Sequence, residues 1–449
     1  MNAPNLLRTI FALAVTLHLA SAADWPQFLG PTANGVSTET NLLDKWPAQG
    51  PPTLWSKSIG TGYSAPSIRD GKLILHHRVQ NEEIVESFEA KTGKSIWRHA
   101  YASNFIDPYG YNNGPRCTPL LTTNRCYTFG AEGKLLCLDL QTGKLIWQRD
   151  TQKDWTVPEA FFGVGSTPIL EGDKLIVMIG GQPNSGVVAF DAATGKTLWE
   201  SVGEKNWNGL PKIGWPGEPI IEWNAADKQA SYASPVAGTV NGKRQIFCLM
   251  RQGLVSLDPN DGKVNFSYWF RARVEESVNA ANPVVVGNQV LISGAYYRVG
   301  SVLLEVAPDN KSATPVWRGT SLEIHWTTPI YHDGNVYAFS GRNEPDARFR
   351  CVEFKTGKIA WERDERWQRY GSGAPTYGRG SAILADGKLI VLGESGLLGL
   401  VRANPEKLEE ISKHKHPELE YPCWAAPVLS DKHLYLRSES KLVCINLNP

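Results

Sequence analysis

Several things are scarce in this 449-residue sequence, and each scarcity excludes a class of protein. Charge of one sign is not in excess: 46 Lys and Arg stand against 45 Asp and Glu. A net charge of +1 gives no broad attraction to nucleic acid or to an anionic membrane. Beyond the first two dozen residues no apolar run reaches the roughly 20 residues a membrane span needs. Periodic helices are missing, which excludes helical and leucine-rich solenoids. Methionine is rare, with only 3 copies, whereas 16 Trp, 42 Gly and 29 Pro are present. Turn-makers with aromatics point to many short strands.

Cysteine is present but unstructured as a motif. The seven Cys are an odd number, no two are adjacent, and no Cys-x-x-Cys-His occurs. Cys137, Cys351 and Cys444 each precede an apolar residue and then Asp, Glu or Asn, the slot that Ala189 fills in Ala189-Phe190-Asp191. A slot shared with Ala is a small buried site, so packing is expected there rather than ligation. A hairpin turning at Thr123-Asn124 sets Cys126 opposite Leu121, not Cys117, and no obligatory disulfide is expected.

The first residues read as a targeting segment. Arg8 is the only charge before a short apolar run, Ile10 to Ala20, followed by Ala20-Ser21-Ala22. A positive start, a short apolar stretch and small residues at the cleavage site describe a secretory signal peptide. Residues 1–22 are therefore expected to be removed, leaving 23–449 as a soluble, periplasmic or secreted chain.

Repetition decides the fold. A phrase of small residue, Pro and apolar residue recurs at Pro66, Pro119, Pro168, Pro235, Pro283, Pro329, a degenerate copy at Ala382, and Pro427. The eight copies are spaced by 45 residues (Ala382 to Pro427) to 67 residues (Pro168 to Pro235). A second phrase, Thr-Gly-Lys-x-x-Trp, follows as Thr92 to Trp97, Thr142 to Trp147, Thr194 to Trp199 and Thr356 to Trp361; Asp261-Gly262-Lys263 to Phe266 is a variant, and Trp317 closes a divergent copy. Each unit holds four strand-like runs separated by turn signals, the pattern of a propeller blade. The last copy supplies only three, and Thr53-Leu54-Trp55-Ser56, with Trp55 in the aromatic slot, supplies the fourth. The expected fold is all-β: one eight-bladed propeller of four antiparallel strands per blade, its last blade closed by the N-terminal strand.

The phrase Asp-x-x-Thr-Gly-Lys-x-x-Trp, at Asp139 to Trp147 and Asp191 to Trp199, resembles the signature of the quinoprotein-like (pyrroloquinoline-quinone-like) propeller repeats. The opening Asp24-Trp25-Pro26-Gln27-Phe28-Leu29-Gly30-Pro31 resembles exported bacterial propellers of that group, and the resemblance spans residues 24–449. It implies Trp residues docked between adjacent blades. One branch of the family implies dehydrogenases with pyrroloquinoline quinone, calcium and a catalytic Asp in the funnel, above an adjacent Cys pair that this chain lacks. The other implies the exported scaffold of the outer-membrane β-barrel assembly machine, which carries a lipidated Cys that is also lacking here.

No catalytic motif emerges from the residues. Thr-Gly-Lys-Ser at Thr92 and Thr-Gly-Lys-Thr at Thr194 are blade turns, because Phe88 and Phe190 stand where a P-loop needs Gly. There is no Gly-x-Ser-x-Gly and no His-Glu-x-x-His. His76 and His77 are neighbours on a strand and face opposite sides, which does not suit one metal. His414 and His416, among Lys and Glu, are expected in a solvated loop.

Propellers bind ligands at the channel mouth, where the innermost strands begin. Three positions before each Pro slot stand Tyr63, Arg116, Gly165, Tyr232, Ala280, Trp326, Arg379 and Trp424, and one position earlier lie Asn279 and His325. Arg271 and Arg273 could join the same face. The expected ligand-binding set is Tyr63, Arg116, Tyr232, Asn279, His325, Trp326, Arg379 and Trp424, with no catalytic and no metal residues. Aromatic faces with Arg and Asn suit sugars, peptides or a planar anion. Replacing Arg116 and Arg379 with Ala is expected to abolish binding at little cost in thermal stability. The expected function is an exported envelope scaffold that binds a protein, peptide or saccharide partner without a cofactor. The alternative is a quinone- or metal-dependent oxidoreductase using pyrroloquinoline quinone with calcium in the funnel.

Overall fold

The structure, a computed structural model, describes residues 23–155, 157–181, 186–202, 230–272, 274, 276–366 and 375–449. The expected signal peptide, Arg273 and most of the extra segment between Glu204 and Ser231 lie outside these residues. Within them the chain folds into eight sheets of four antiparallel strands each. Seven blades are consecutive in sequence: residues 67–102, 120–150, 169–201, 236–269, 284–319, 330–364 and 381–415. The eighth takes three strands from residues 428–446 and its outermost from Thr53–Ser58, which pairs antiparallel with Lys441–Asn446. The N-terminal strand closes the ring, as the missing fourth strand of the last repeat required.

The repeated aromatic slot is an inter-blade dock. Trp55, Trp97, Trp147, Trp199, Trp317 and Trp361 each donate their indole N–H to a turn carbonyl of the next blade, at 2.8–3.1 Å. Under five of these rings lies the Gly of the next Thr-Gly-Lys turn or of its Asp-Gly-Lys variant: Gly93, Gly143, Gly195, Gly262 and Gly357 have φ near +70°, and a Cβ there would stand under 3.0 Å from the indole. Gly is required twice over, by the left-handed backbone and by the close approach. Phe266 fills the slot in the fourth blade and donates nothing; Asn241 donates to Ala307 O across the same interface instead. In the seventh blade Ser412 stands in the slot, and it accepts the backbone N–H of Trp46.

The residue before Pro forms a second link nearer the axis. Ala65 N donates to Thr118 Oγ1, Thr118 N to Thr167 Oγ1, Thr167 N to Ser234 Oγ, and Ser234 N to Asn282 Oδ1. Five blades are thus stitched by hydroxyl and amide groups at the start of their inner strands. Pro fits there because the first residue of a strand needs no N–H.

The segment before the closing strand runs across the far end of the channel. Trp25 bridges Ile68, Pro26 O accepts from Leu121 N, Leu384 N donates to Gly35 O, and Val36 bridges Leu384. These partners sit at the distal ends of the inner strands of blades one, two and seven. Trp25, Leu42 and Trp46 are buried in a cluster with residues of blades one, seven and eight.

All seven Cys are buried and free, and Cys126 pairs with Leu121 across its hairpin as the spacing indicated. His76 and His77 do face apart: His76 meets Tyr101 and Glu83, whereas His77 meets Glu86 and the Gly60 N–H. The expectation for His414 and His416 is corrected. Residues Glu409–Lys415 form the outer strand of blade seven, and His416 is buried, bonded to Thr53 Oγ1 and to the Glu418 N–H. The Lys- and Glu-rich composition concealed a strand that is half-buried along most of its length and register-paired with Leu397–Arg402.

Candidate functional site

Because every inner strand begins at its Pro phrase, the residue three positions earlier turns toward the axis. All eight such residues, Tyr63, Arg116, Gly165, Tyr232, Ala280, Trp326, Arg379 and Trp424, line one cavity of about 220 Å³, together with His325. Phe28, from the segment crossing the far end, also lines it. The channel is therefore a funnel with a floor, open at the Pro-phrase end. Of the eight residues expected at the mouth, seven meet around this cavity. Asn279 does not: it is buried behind the wall and donates to Met250 O and Phe270 O. Its side chain closes a strand end rather than facing a ligand. Arg271 is likewise buried, donating to Ala272 O and Val274 O.

The walls are mainly aromatic. Trp424 is the hub, with ring centroids 5.0 Å from Tyr63, 5.2 Å from Trp326 and 6.0 Å from Tyr111. Phe162 packs on Tyr232 at 5.4 Å, and the Phe162 N–H donates to the Tyr232 hydroxyl. Tyr111, Phe162 and Tyr296 were not legible from the repeat, since Tyr111 and Phe162 come from connections between blades and Tyr296 from a connection inside the fifth blade, none in register with the Pro phrase.

Both cavity arginines are held in closed ion pairs. Arg379 lies over Trp326 at 4.7 Å and binds Glu394 through Nε (3.1 Å) and Nη2 (2.8 Å). Glu394 is fully buried, and it also accepts from the Arg379 backbone N–H at 2.6 Å and from Trp424 Nε1 at 2.8 Å. Arg116 binds the buried Asp107 at 2.6 Å and the carbonyls of Gly114 and Asn112. This corrects the expectation that either Arg could become Ala at little cost in stability: each substitution would leave a buried carboxylate without its counter-charge. Neither lining guanidinium is therefore without a counter-charge. His325 is uncharged, because burial and then the charges of Arg379 and Arg342 push its pKa down to about 3.

Comparison with known proteins gives two kinds of relative. One is the dehydrogenase subunit of a quinone alcohol dehydrogenase from Komagataeibacter europaeus, 28% identical over 151 residues, covering 30% of this chain and 18% of that protein. Another is the outer membrane protein assembly factor BamB of Moranella endobia (strain PCIT), 26% identical over 174 residues, covering 37% of this chain and 39% of that protein. The matches thus span less than half the length of these curated relatives. Among solved structures, the quinohemoprotein alcohol dehydrogenase from Comamonas testosteroni superposes with a TM-score of 0.63 at 14% identity, covering 95% of this chain and 81% of that one. Identity at that level speaks for fold alone.

The quinone-dependent relatives raise the question of whether this funnel suits pyrroloquinoline quinone with calcium. Calcium takes six to eight oxygens. Asp107 and Glu394, behind the cavity wall, already spend their oxygens on guanidinium, indole and backbone donors. Among the described residues no group of three or more His, Cys, Asp or Glu could hold a metal ion. The donor set present does not fit that group. The family profile that matches, over residues 80–362, is described as outer membrane protein assembly factor BamB, and this propeller of pyrroloquinoline-quinone-like repeats belongs to that family.

Proposed function

We propose that the protein is an exported scaffold of the cell envelope that holds a partner or ligand at the aromatic mouth of its funnel. One observation carries the reading: eight blades each contribute the same repeat position to a single floored cavity, and six of those eight positions hold Tyr, Trp or Arg rather than one repeated small residue. Packing alone would be met by a uniform ring. Membership in a family described by an outer-membrane assembly factor supports the scaffold role, and the Ile10 to Ala20 run with Ala20-Ser21-Ala22 supports export with cleavage after residue 22.

The test uses a photo-crosslinking side chain at Tyr111, which is 56% exposed at the mouth. Envelope extract is expected to yield one discrete adduct with the wild-type background and none when Trp424 is also changed to Ala. The same adduct in both backgrounds would refute a partner at the funnel. Adding pyrroloquinoline quinone and calcium is expected to give no bound chromophore; dye-linked alcohol oxidation above background would favour the oxidoreductase alternative instead.

A further inference from the structure

We propose that the funnel takes one uncharged sugar ring, the terminal unit of a glycan whose next unit lies over the tyrosines of the rim; this deepens, and rests on, the reading of the funnel as a binding site.

Size sets the first limit. A cavity of about 220 Å³ is smaller than the roughly 300–1,000 Å³ of pockets for drug-sized ligands, so it admits a single ring-sized unit. Charge sets the second. Each cavity guanidinium is already neutralised by a buried carboxylate, Arg116 by Asp107 and Arg379 by Glu394. Neither an acid nor a base would find an unmatched counter-charge in the wall, and the His325 imidazole adds none.

Polarity separates a sugar from an apolar plug. Thr167 and Ser234 line the cavity, and each hydroxyl accepts a backbone N–H from the neighbouring blade. Each keeps its own O–H proton to donate. A partner's aliphatic side chain would strip water from these groups and return nothing, which is unfavourable for buried hydroxyls. A pyranose answers both parts of the wall: its C–H faces lie on Trp326 and Trp424, and its hydroxyls both accept and donate.

The rim continues the same chemistry outward. Tyr421 meets Trp424 edge-on at 5.7 Å and is 45% exposed; Tyr111 meets Trp424 at 6.0 Å. An open aromatic ledge beside a one-ring chamber suits the end of a chain, not an isolated small molecule. An extended peptide finds no template here, since the mouth is made of connections between strands rather than of a free strand edge.

The experiment titrates the purified protein with glucose, N-acetylglucosamine, cellotetraose and chitotetraose, with glucuronate as the charged control, reading Trp fluorescence and ligand-observed NMR saturation transfer. At least one neutral sugar is expected to saturate below about 10 mM, with its tetramer about tenfold tighter than the monomer. Tyr421→Ala should remove the advantage of the tetramer only. Trp326→Ala should weaken both about tenfold or more. Tyr111→Ala, at an exposed position, is the variant whose folding is least at risk and should weaken the tetramer. Absence of saturation by every neutral sugar, tighter binding of glucuronate, or indifference to both Trp326→Ala and Tyr421→Ala would overturn the proposal. If sugars fail while the Tyr111 adduct still depends on Trp424, the funnel is a protein-binding site and only the sugar assignment falls.

Discussion

Removing the Arg379 guanidinium while leaving its partner is the sharpest test of the cavity wall. In Arg379→Met the buried Glu394 would lose the Nε and Nη2 donors and keep only the backbone N–H at 2.6 Å and Trp424 Nε1 at 2.8 Å. Breaking a buried pair from one side destabilises by about 3–5 kcal/mol, because the remaining charge is uncompensated. The double variant Arg379→Met, Glu394→Leu removes both charges and should recover most of that loss. Denaturant titrations followed by Trp fluorescence measure both variants. An Arg379→Met variant within about 1 kcal/mol of wild type would refute the assignment of a buried, structurally committed ion pair.

Two further outcomes are expected. His325 has its folded pKa depressed to about 3, against 6.5 unperturbed, so its contribution is complete above pH 6.5 and is lost as pH falls toward 3. His325→Gln should flatten the stability–pH curve across that window by up to about 1.4 kcal/mol per unit, and an unchanged slope in the same denaturant assay would contradict a neutral imidazole. Gly143→Ala places a Cβ under 3.0 Å from Trp97 at φ +70°, which should destabilise by about 2 kcal/mol or more. Gly172→Ala, at φ +62° with nothing within 4 Å, isolates the backbone part of that loss and should cost less by thermal melt.

The blades were legible because their sequence signals are local. Pro at a strand start, Gly at a left-handed turn and Trp in the slot are each dictated within a few residues, and Thr53–Ser58 was recognisable because the last repeat lacked a strand. The cavity residues were legible for the same reason, as one position counted from the Pro phrase. Other features were not. That Glu394 is the partner of Arg379 depends on strand ends of one blade meeting in space, and Asp107 reaches Arg116 from an inter-blade connection. Phe28 enters the funnel only because residues 25–36 cross the channel, a path with no repeat to betray it. Asn279 shows the converse: a position adjacent to the right register, with its side chain turned to a neighbouring strand end.

The pairing of Thr53 with Ile445 joins positions 392 residues apart in sequence. Bringing such ends together from a disordered chain would cost on the order of 5 kcal/mol in closure entropy alone, by the logarithmic dependence on loop length. Here seven blades, each made of local hairpins, already set the ends near one another, so the latch adds little to that cost and its timing becomes the issue. During synthesis the first strand emerges early and must wait, unpaired, until residue 446 exists. Every product truncated before residue 446 therefore has a spare strand and an open ring, whereas a chain that includes it has neither. Completion of the ring is thereby converted into a physical difference in exposed strand edge, one that proteases and chaperones can read without reference to any sequence.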